Sequence, residues 1–234
     1  MAITFNGPGR AAFVQGKQSE ILIELRMPTK KAAKTSAPKS RKAEIKRKTK
    51  ETDIFLSLNI DGTGKNEIST GLPFFDHMLD LLGKHSVSDL TVKAKGDLHI
   101  DDHHTVEDIG LALGEAIKNA LGNKAGIKRY AHIILPMDEA RAMVTLDLSG
   151  RPHFEWEAQL AKDDINGFST VMVPEFFQAV VNKAEMTLHI QLQKGRNTHH
   201  CIEVIFKAFA KALDAATQID PRLKGQIPST KGML

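Results

Sequence analysis

The sequence has one cysteine, one tryptophan and one tyrosine, and no apolar run approaches the length of a membrane span. A single thiol, Cys201, excludes an internal disulfide and fits a reducing compartment. A membrane-spanning helix needs about 20 consecutive apolar residues, so no membrane partner is expected. Two large polar aromatics offer little surface on which bases could stack, and no nucleic-acid partner is expected either. The opening Met1-Ala2-Ile3-Thr4-Phe5-Asn6-Gly7-Pro8-Gly9 lacks the basic-then-apolar order of a secretory leader. A cytoplasmic location is the expectation that follows.

Acidic residues are also scarce in one place. Between Pro28 and Lys50 stand ten lysines and arginines against the single acid Glu44, a local charge of about +9. The whole chain carries only +4, so the rest is mildly acidic. Lys, Ala, Ser and Pro without large apolar residues mark a chain segment that cannot bury a core. Residues 1–46 are therefore read as an N-terminal extension with a basic, flexible linker, in which Ile21-Leu22-Ile23-Glu24-Leu25 could add a strand. The remaining residues, at 41% hydrophobic over the whole chain, suffice for a real core.

Histidine, by contrast, is plentiful and patterned. His103, His104 and Glu107 recur as His199, His200 and Glu203, a duplicated HHxxE. Imidazole nitrogen with carboxylate oxygen suits a borderline divalent transition ion and leaves positions open for substrate. On a helix, histidine and glutamate at i and i+3 or i+4 share a face. Adjacent histidines point about 100° apart, so the two imidazoles of each pair are expected to serve different ions. One HHxxE would be an ordinary surface cluster. Two, each followed by an amphipathic apolar run (Val106, Ile109, Leu113, Ile117 and Ile202, Ile205, Phe209, Leu213), point to a duplicated site. Asp101 and Asp102 are expected to cap the first of these helices.

The repeat extends outward. Pro73-Phe74-Phe75-Asp76-His77-Met78-Leu79 precedes the first pair and Pro174-Glu175-Phe176-Phe177-Gln178 the second; strand-like stretches follow at Leu90 to Ala94, Leu98-His99-Ile100 and Met186-Thr187-Leu188-His189-Ile190. Each half reads as strand, strand, short helix, strand, long helix, so residues 47–130 and 131–234 form two pseudo-symmetric α+β repeats. His77 then corresponds to Glu175. The metal candidates are His77, His103, His104, Glu107, Glu175, His199, His200 and Glu203, enough for two ions of four protein ligands each. His99 and His189, on strands, are given structural roles. Cys201 stands where the first copy has Thr105, which assigns it to packing.

From Arg47 onward the chain resembles the imidazoleglycerol-phosphate dehydratase family. The resemblance rests on Arg47-Lys48-Thr49-Lys50-Glu51-Thr52, Phe75-Asp76-His77-Met78-Leu79, Asp101-Asp102-His103-His104-Thr105-Val106-Glu107-Asp108, Leu188-His189-Ile190, Gly195-Arg196-Asn197-Thr198-His199-His200 and Phe206-Lys207-Ala208. It implies a lyase of histidine biosynthesis that removes water from imidazole glycerol phosphate to give imidazole acetol phosphate. It also implies two Mn²⁺ ions at the ring nitrogens, stabilising an imidazolate as the proton and hydroxyl leave.

Glu51 is the implied acid or base, with Glu203 and Glu175 as competitors. Implied substrate contacts are Glu51, His77, His85, Arg129, Arg151, Lys207, Ser229 and Lys231; of these, Arg129, Arg151, Lys207, Ser229 and Lys231 surround the phosphate. The C-terminal stretch carrying Ser229 and Lys231 is expected to order over a neighbouring subunit or on substrate binding. The resemblance further implies halves of the ribosomal protein S5 domain 2-like type, sheets packed on a helical layer, and a homo-oligomer of 24 subunits built from trimers.

Two positions depart from the family pattern. Leu81 stands where relatives carry glutamine, and Glu175 where some carry histidine. The competing readings are a two-metal hydrolase of a phosphorylated small molecule, and a structural metal staple with a nucleic-acid-binding tail.

Overall fold

The computed structural model describes residues 41–234. The strand expected at residues 21–25 and most of the basic linker lie outside the described residues. The described chain is built from two copies of one unit. The first runs β1 (Lys42–Lys48), β2 (Thr52–Asn59), β3 (Asn66–Ser69), α1 (Pro73–Ser86), β4 (Asp89–Gly96), α2 (His103–Leu121). The second runs β5 (Tyr130–Met137), β6 (Ala140–Asp147), β7 (His153–Glu157), α3 (Met172–Ala184), β10 (Thr187–Lys194), α4 (Thr198–Thr217). A small hairpin, β8 (Asp164–Ile165) with β9 (Phe168–Ser169), is inserted before α3.

The sheets have the same order, β1-β2-β4-β3 and β5-β6-β10-β7. Their outer hairpins also share one register, Lys42 facing Asn59 and Tyr130 facing Asp147. The α+β pair of repeats therefore stands as expected. Each unit has one strand more than the pattern suggested: β3 and β7, short and parallel to β4 and β10.

Three boundaries differ from the sequence expectation. Residues 42–46, assigned to the flexible extension, are the start of β1. Most of its charge falls on one edge of the alternation: Lys42, Glu44, Lys46 and Lys48 are exposed while Ile45 is buried and Arg47 half-buried, which is how a half-buried strand reads. Tyr130, placed at the end of the first half, opens the second. Leu98–Ile100 is a turn, not a strand, with the Ile100 amide donating to the Asp97 carbonyl at 2.8 Å; His99 therefore sits on a turn, while His189 lies on β10 as read.

Within the described residues the helices lie between the two sheets. α2 packs on β1 and β2, α4 on β5 and β6, and between the sheets α2 meets α3 while α1 meets α4. One continuous apolar core results, with Phe75, Phe176, Phe177, Phe206 and Phe209 fully buried. Close approach of α2 to α3 depends on Gly110 and Gly114: a Cβ at Gly114 would lie 2.3 Å from the Val180 carbonyl oxygen. That neighbour is backbone and cannot move aside. Gly114→Ala should cost about 1–3 kcal/mol from overpacking and lower the midpoint of chemical denaturation. An unchanged midpoint would mean that the helices can separate without loss.

Both short helices end alike, on left-handed residues Val87 (φ 57°) and Glu185 (φ 52°). These ends place His77 and Glu175 at matching heights and keep the register read from sequence. Among the described residues, no helix is long and apolar enough to cross a membrane.

Candidate active site

Each HHxxE motif opens a long core helix. On α4 the Asn197 side chain caps the start, accepting from the amides of His199 (3.0 Å) and His200 (3.5 Å). On α2 the cap is divided. Asp101 accepts from the His103 amide at 2.9 Å, whereas Asp102 turns away to accept from the Ser169 amide at 2.7 Å. Asp102 is thus spent on the inserted hairpin and not on the helix end.

The geometry separates the two histidines of each pair. The rings of His103 and His104 lie 86° apart, and those of His199 and His200 84° apart. His199 turns toward α1. There its Nε2 meets Glu203 Oε2 at 3.0 Å, and His77 Nε2 reaches the same oxygen at 3.5 Å. One ligand atom from each of His77, His199 and Glu203 falls within 4.8 Å of the others, an arrangement able to hold a metal ion. Glu203 is buried, and burial opposes its charge; the Lys207 ammonium, 2.6 Å away, and the imidazoles His199 and His77 outweigh it and hold the carboxyl below its usual range.

The mirrored set is looser. His103 Nε2 lies 3.8 Å from Glu107 Oε2, and Glu175 is exposed in the first turn of α3. These three do not close to the spacing of the first set. Within one chain the eight expected donors therefore do not form two sets of four. Three converge, and His104 and His200 turn instead toward the hairpin tips.

There the sequence reading missed two residues. His104 Nδ1 lies 3.0 Å from Asp97, with Glu51 4.0 Å from its Nε2. His200 Nδ1 lies 2.8 Å from Glu139. The helix starts disfavour imidazolium, yet the carboxylate partners prevail: the hydrogen bond with Asp97 raises the His104 pKa, and that with Glu139 raises the His200 pKa. Glu139 also accepts from the amides of Asn197 (2.8 Å) and Arg196 (3.1 Å). With His200, these bring its carboxyl down to about 2. The shared hairpin register was the signal for Glu139, since it places this residue where Glu51 stands. Asp97 had none, because it falls between the two stretches read as strand, Leu90 to Ala94 and Leu98 to Ile100.

Glu51 itself stands exposed at the β1–β2 tip. Thr49 shapes the turn by accepting from the amides of Glu51 (3.1 Å) and Thr52 (3.0 Å). Arg47 pairs with buried Asp108 on α2 at 2.7 Å, and Thr52 donates to the same carboxylate. These motif residues fasten the tip to the helix that carries His104.

The expected phosphate residues divide in two. Arg129, Arg151, Ser229 and Lys231 line one cavity of about 820 Å³ together with Ser149. Arg129 adopts a left-handed backbone (φ 75°), grips Asp147 through two nitrogens (2.7 and 3.1 Å) and donates to the Pro228 carbonyl at 2.8 Å. The C-terminal stretch lies on its own chain, with Leu234 against Gly150, where a side chain would collide.

Lys207 does not line that cavity. It is held by Glu203 and approaches the Met137 sulfur at 3.9 Å. His85, on the last turn of α1, faces the same region: burial, then the Lys207 and Lys211 charges, push its pKa down. Leu81 packs against the core, as an apolar residue in place of an amide would. Cys201 is buried, and a Cβ at Gly195 would meet its sulfur, just as one at Gly96 would meet the Thr105 hydroxyl. Its role is packing, as read.

The family profile "Imidazoleglycerol-phosphate dehydratase" matches residues 70–213. The imidazoleglycerol-phosphate dehydratase of Acetivibrio thermocellus is 58% identical over 194 residues, covering 83% of this chain and 99% of that protein. The enzyme of the same name from Hydrogenovibrio crunogenus is 55% identical over 194 residues, covering 83% and 100%. The crystal structure of imidazoleglycerol-phosphate dehydratase from Staphylococcus aureus matches with a TM-score of 0.70 at 40% identity, over 76% of this chain and 99% of that one. The Pyrococcus furiosus structure matches with a TM-score of 0.70 at 34% identity, over 81% and 100%. A profile over more than half the chain and relatives aligned along nearly their whole length leave one assignment: this chain is an enzyme of the hydro-lyase class and belongs to the imidazoleglycerol-phosphate dehydratase family.

Proposed function

We propose that the protein dehydrates D-erythro-imidazole-glycerol phosphate to imidazole-acetol phosphate in histidine biosynthesis, with two divalent ions, Mn²⁺ by preference, at the HHxxE clusters. The observation that carries the metal part of this reading is the convergence of His77, His199 and Glu203. Two imidazoles and one carboxylate suit a borderline transition ion and leave coordination positions open. When bound, the ions supply electrostatic stabilisation for negative charge developing on the substrate ring.

The chain's own residues do the rest. Arg129, Arg151, Ser229 and Lys231 bind the phosphate; guanidinium forks and an ammonium match a dianion, and the cavity they line is wide enough for it. Glu51, exposed on a braced tip, holds or takes a proton at its carboxylate. Glu203, tied to Lys207 and two imidazoles, serves as ligand more readily than as base, and Glu175 completes the second cluster.

That second cluster is open within one chain, which favours assembly: donors from another copy would close it. A homo-oligomer of trimers arranged as 24 subunits, in the cytoplasm, is the form proposed. The substrate partner is a phosphorylated imidazole, with neither membrane nor nucleic acid required.

Purified protein supplied with Mn²⁺ should convert imidazole glycerol phosphate to a product that absorbs as an enol in alkali. Release of inorganic phosphate instead would favour the two-metal hydrolase. Removal of residues 229–234 should raise KM for the substrate about 10- to 100-fold, the loss expected for two or more charge-assisted hydrogen bonds of ~1.5–3 kcal/mol each, partly compensated by Arg129 and Arg151. An unchanged KM in steady-state kinetics would place the phosphate elsewhere.

A further inference from the structure

The hairpin tips of the two repeats are equivalent in register but not in use. Glu139, at the β5–β6 tip, is fully engaged: it takes the Arg196 and Asn197 amides on Oε1 and faces His200 Nδ1 with Oε2 at 2.8 Å. Glu51, at the equivalent β1–β2 tip, accepts no such bonds and comes only within 4.0 Å of His104 Nε2. The difference traces to the residue that follows the central strand. After β4 it is Asp97, whose Oδ2 faces His104 Nδ1 at 3.0 Å. After β10, Gly195 packs on Cys201 as Gly96 at the end of β4 packs on Thr105, and the residue that follows it is Arg196, which has no carboxylate.

We infer that Glu139 and Asp97 are positioning residues that act alike: each holds the Nδ1 proton of its histidine, His200 or His104, and so presents Nε2 as the ligand nitrogen. In neutral imidazole one nitrogen donates and the other accepts, and the partner of the first fixes the tautomer. Because Asp97 orients the histidine in the first repeat, Glu51 is released from that duty and is free to face substrate. In the second repeat the tip glutamate has been retained for orientation. One duplicated position has thus taken two roles, and the exchange follows from a single carboxylate present after β4 and absent after β10. The inference rests on the two-metal reading above.

The test uses the full-length chain, stripped by chelator and titrated with Mn²⁺, with free ion followed by electron paramagnetic resonance. Glu139→Ala should weaken Mn²⁺ binding about 10- to 100-fold, the usual effect of losing a carboxylate behind a histidine ligand. Glu139→Gln decides the mechanism. Its carbonyl oxygen can keep the Arg196 and Asn197 amides, which need an acceptor; its NH₂ then faces Nδ1 and drives the proton to Nε2. Glutamine should therefore be as impaired as alanine in Mn²⁺ binding while matching wild type in thermal denaturation.

If glutamine restores wild-type affinity, Glu139 merely braces the loop and the inference is overturned. Wild-type affinity in both variants would overturn it equally. Glu51→Ala should bind Mn²⁺ as wild type does, and weakened binding there would contradict the division of roles. Failure of the unaltered protein to take up Mn²⁺ would sink the two-metal reading itself, whereas uptake unaffected by the variants would sink only this inference.

Discussion

Glu51→Gln is expected to lower kcat for imidazole glycerol phosphate by about 100- to 10,000-fold, the range for removing a positioned acid or base, with KM changed far less. The structure makes this residue unlike the other candidate carboxylates. Glu203 is buried and bound on every side by Lys207, His199 and His77. Glu51 is exposed, held up by a turn that Thr49 shapes and that Arg47, Thr52 and Asp108 fasten to α2. A proton-transfer group must reach substrate and change its own charge, and Glu51 stands exposed on a braced tip with no committed partner. Steady-state kinetics with Mn²⁺ saturating would measure the effect. A kcat within a few-fold of wild type would transfer the role to Glu175.

Glu203→Gln is expected to do something different. The amide keeps the shape but loses the charge that offsets Lys207 and that would bind a cation. Bound Mn²⁺ should fall by about one ion per chain, counted by atomic absorption after gel filtration, and kcat/KM should fall by more than about 100-fold, the upper range for residues that merely support a ligand. His199→Ala should reproduce the loss, because it removes another corner of the same set. Retention of the full metal complement by Glu203→Gln would show that the cluster of His77, His199 and Glu203 is not a metal site.

The residues that could be read from sequence were those whose chemistry and period coincide. The HHxxE pairs stand at the head of helices whose apolar positions recur at three and four, so element and buried face were visible together. The repeat was visible for the same reason, down to the correspondence of His77 with Glu175 that the matching helix ends preserve.

Other features were hidden by the physics that makes them. β1 carries Lys42, Lys46, Arg47 and Lys48 and reads as linker, yet strand alternation confines most of that charge to the solvent face. Leu98 and Ile100 look like a strand because they alternate with His99, but the chain there is turning into α2. Glu139 and Asp97 carry no motif; their partners become neighbours only through the hairpin register and the loop after β4. Lys207, apart from the Arg129 cavity, is held within one helix turn by Glu203, a contact that no motif announces.

The central claim is that donors from both halves hold two ions that receive an imidazole ring. Crystals grown with Mn²⁺ and a substrate analogue, measured at the manganese absorption edge, would test it most directly. The account predicts two anomalous peaks, one ligated by His77, His199 and Glu203, with the imidazole ring of the analogue contacting both. A ring bound away from the peaks, or no peak beside His199, would contradict it.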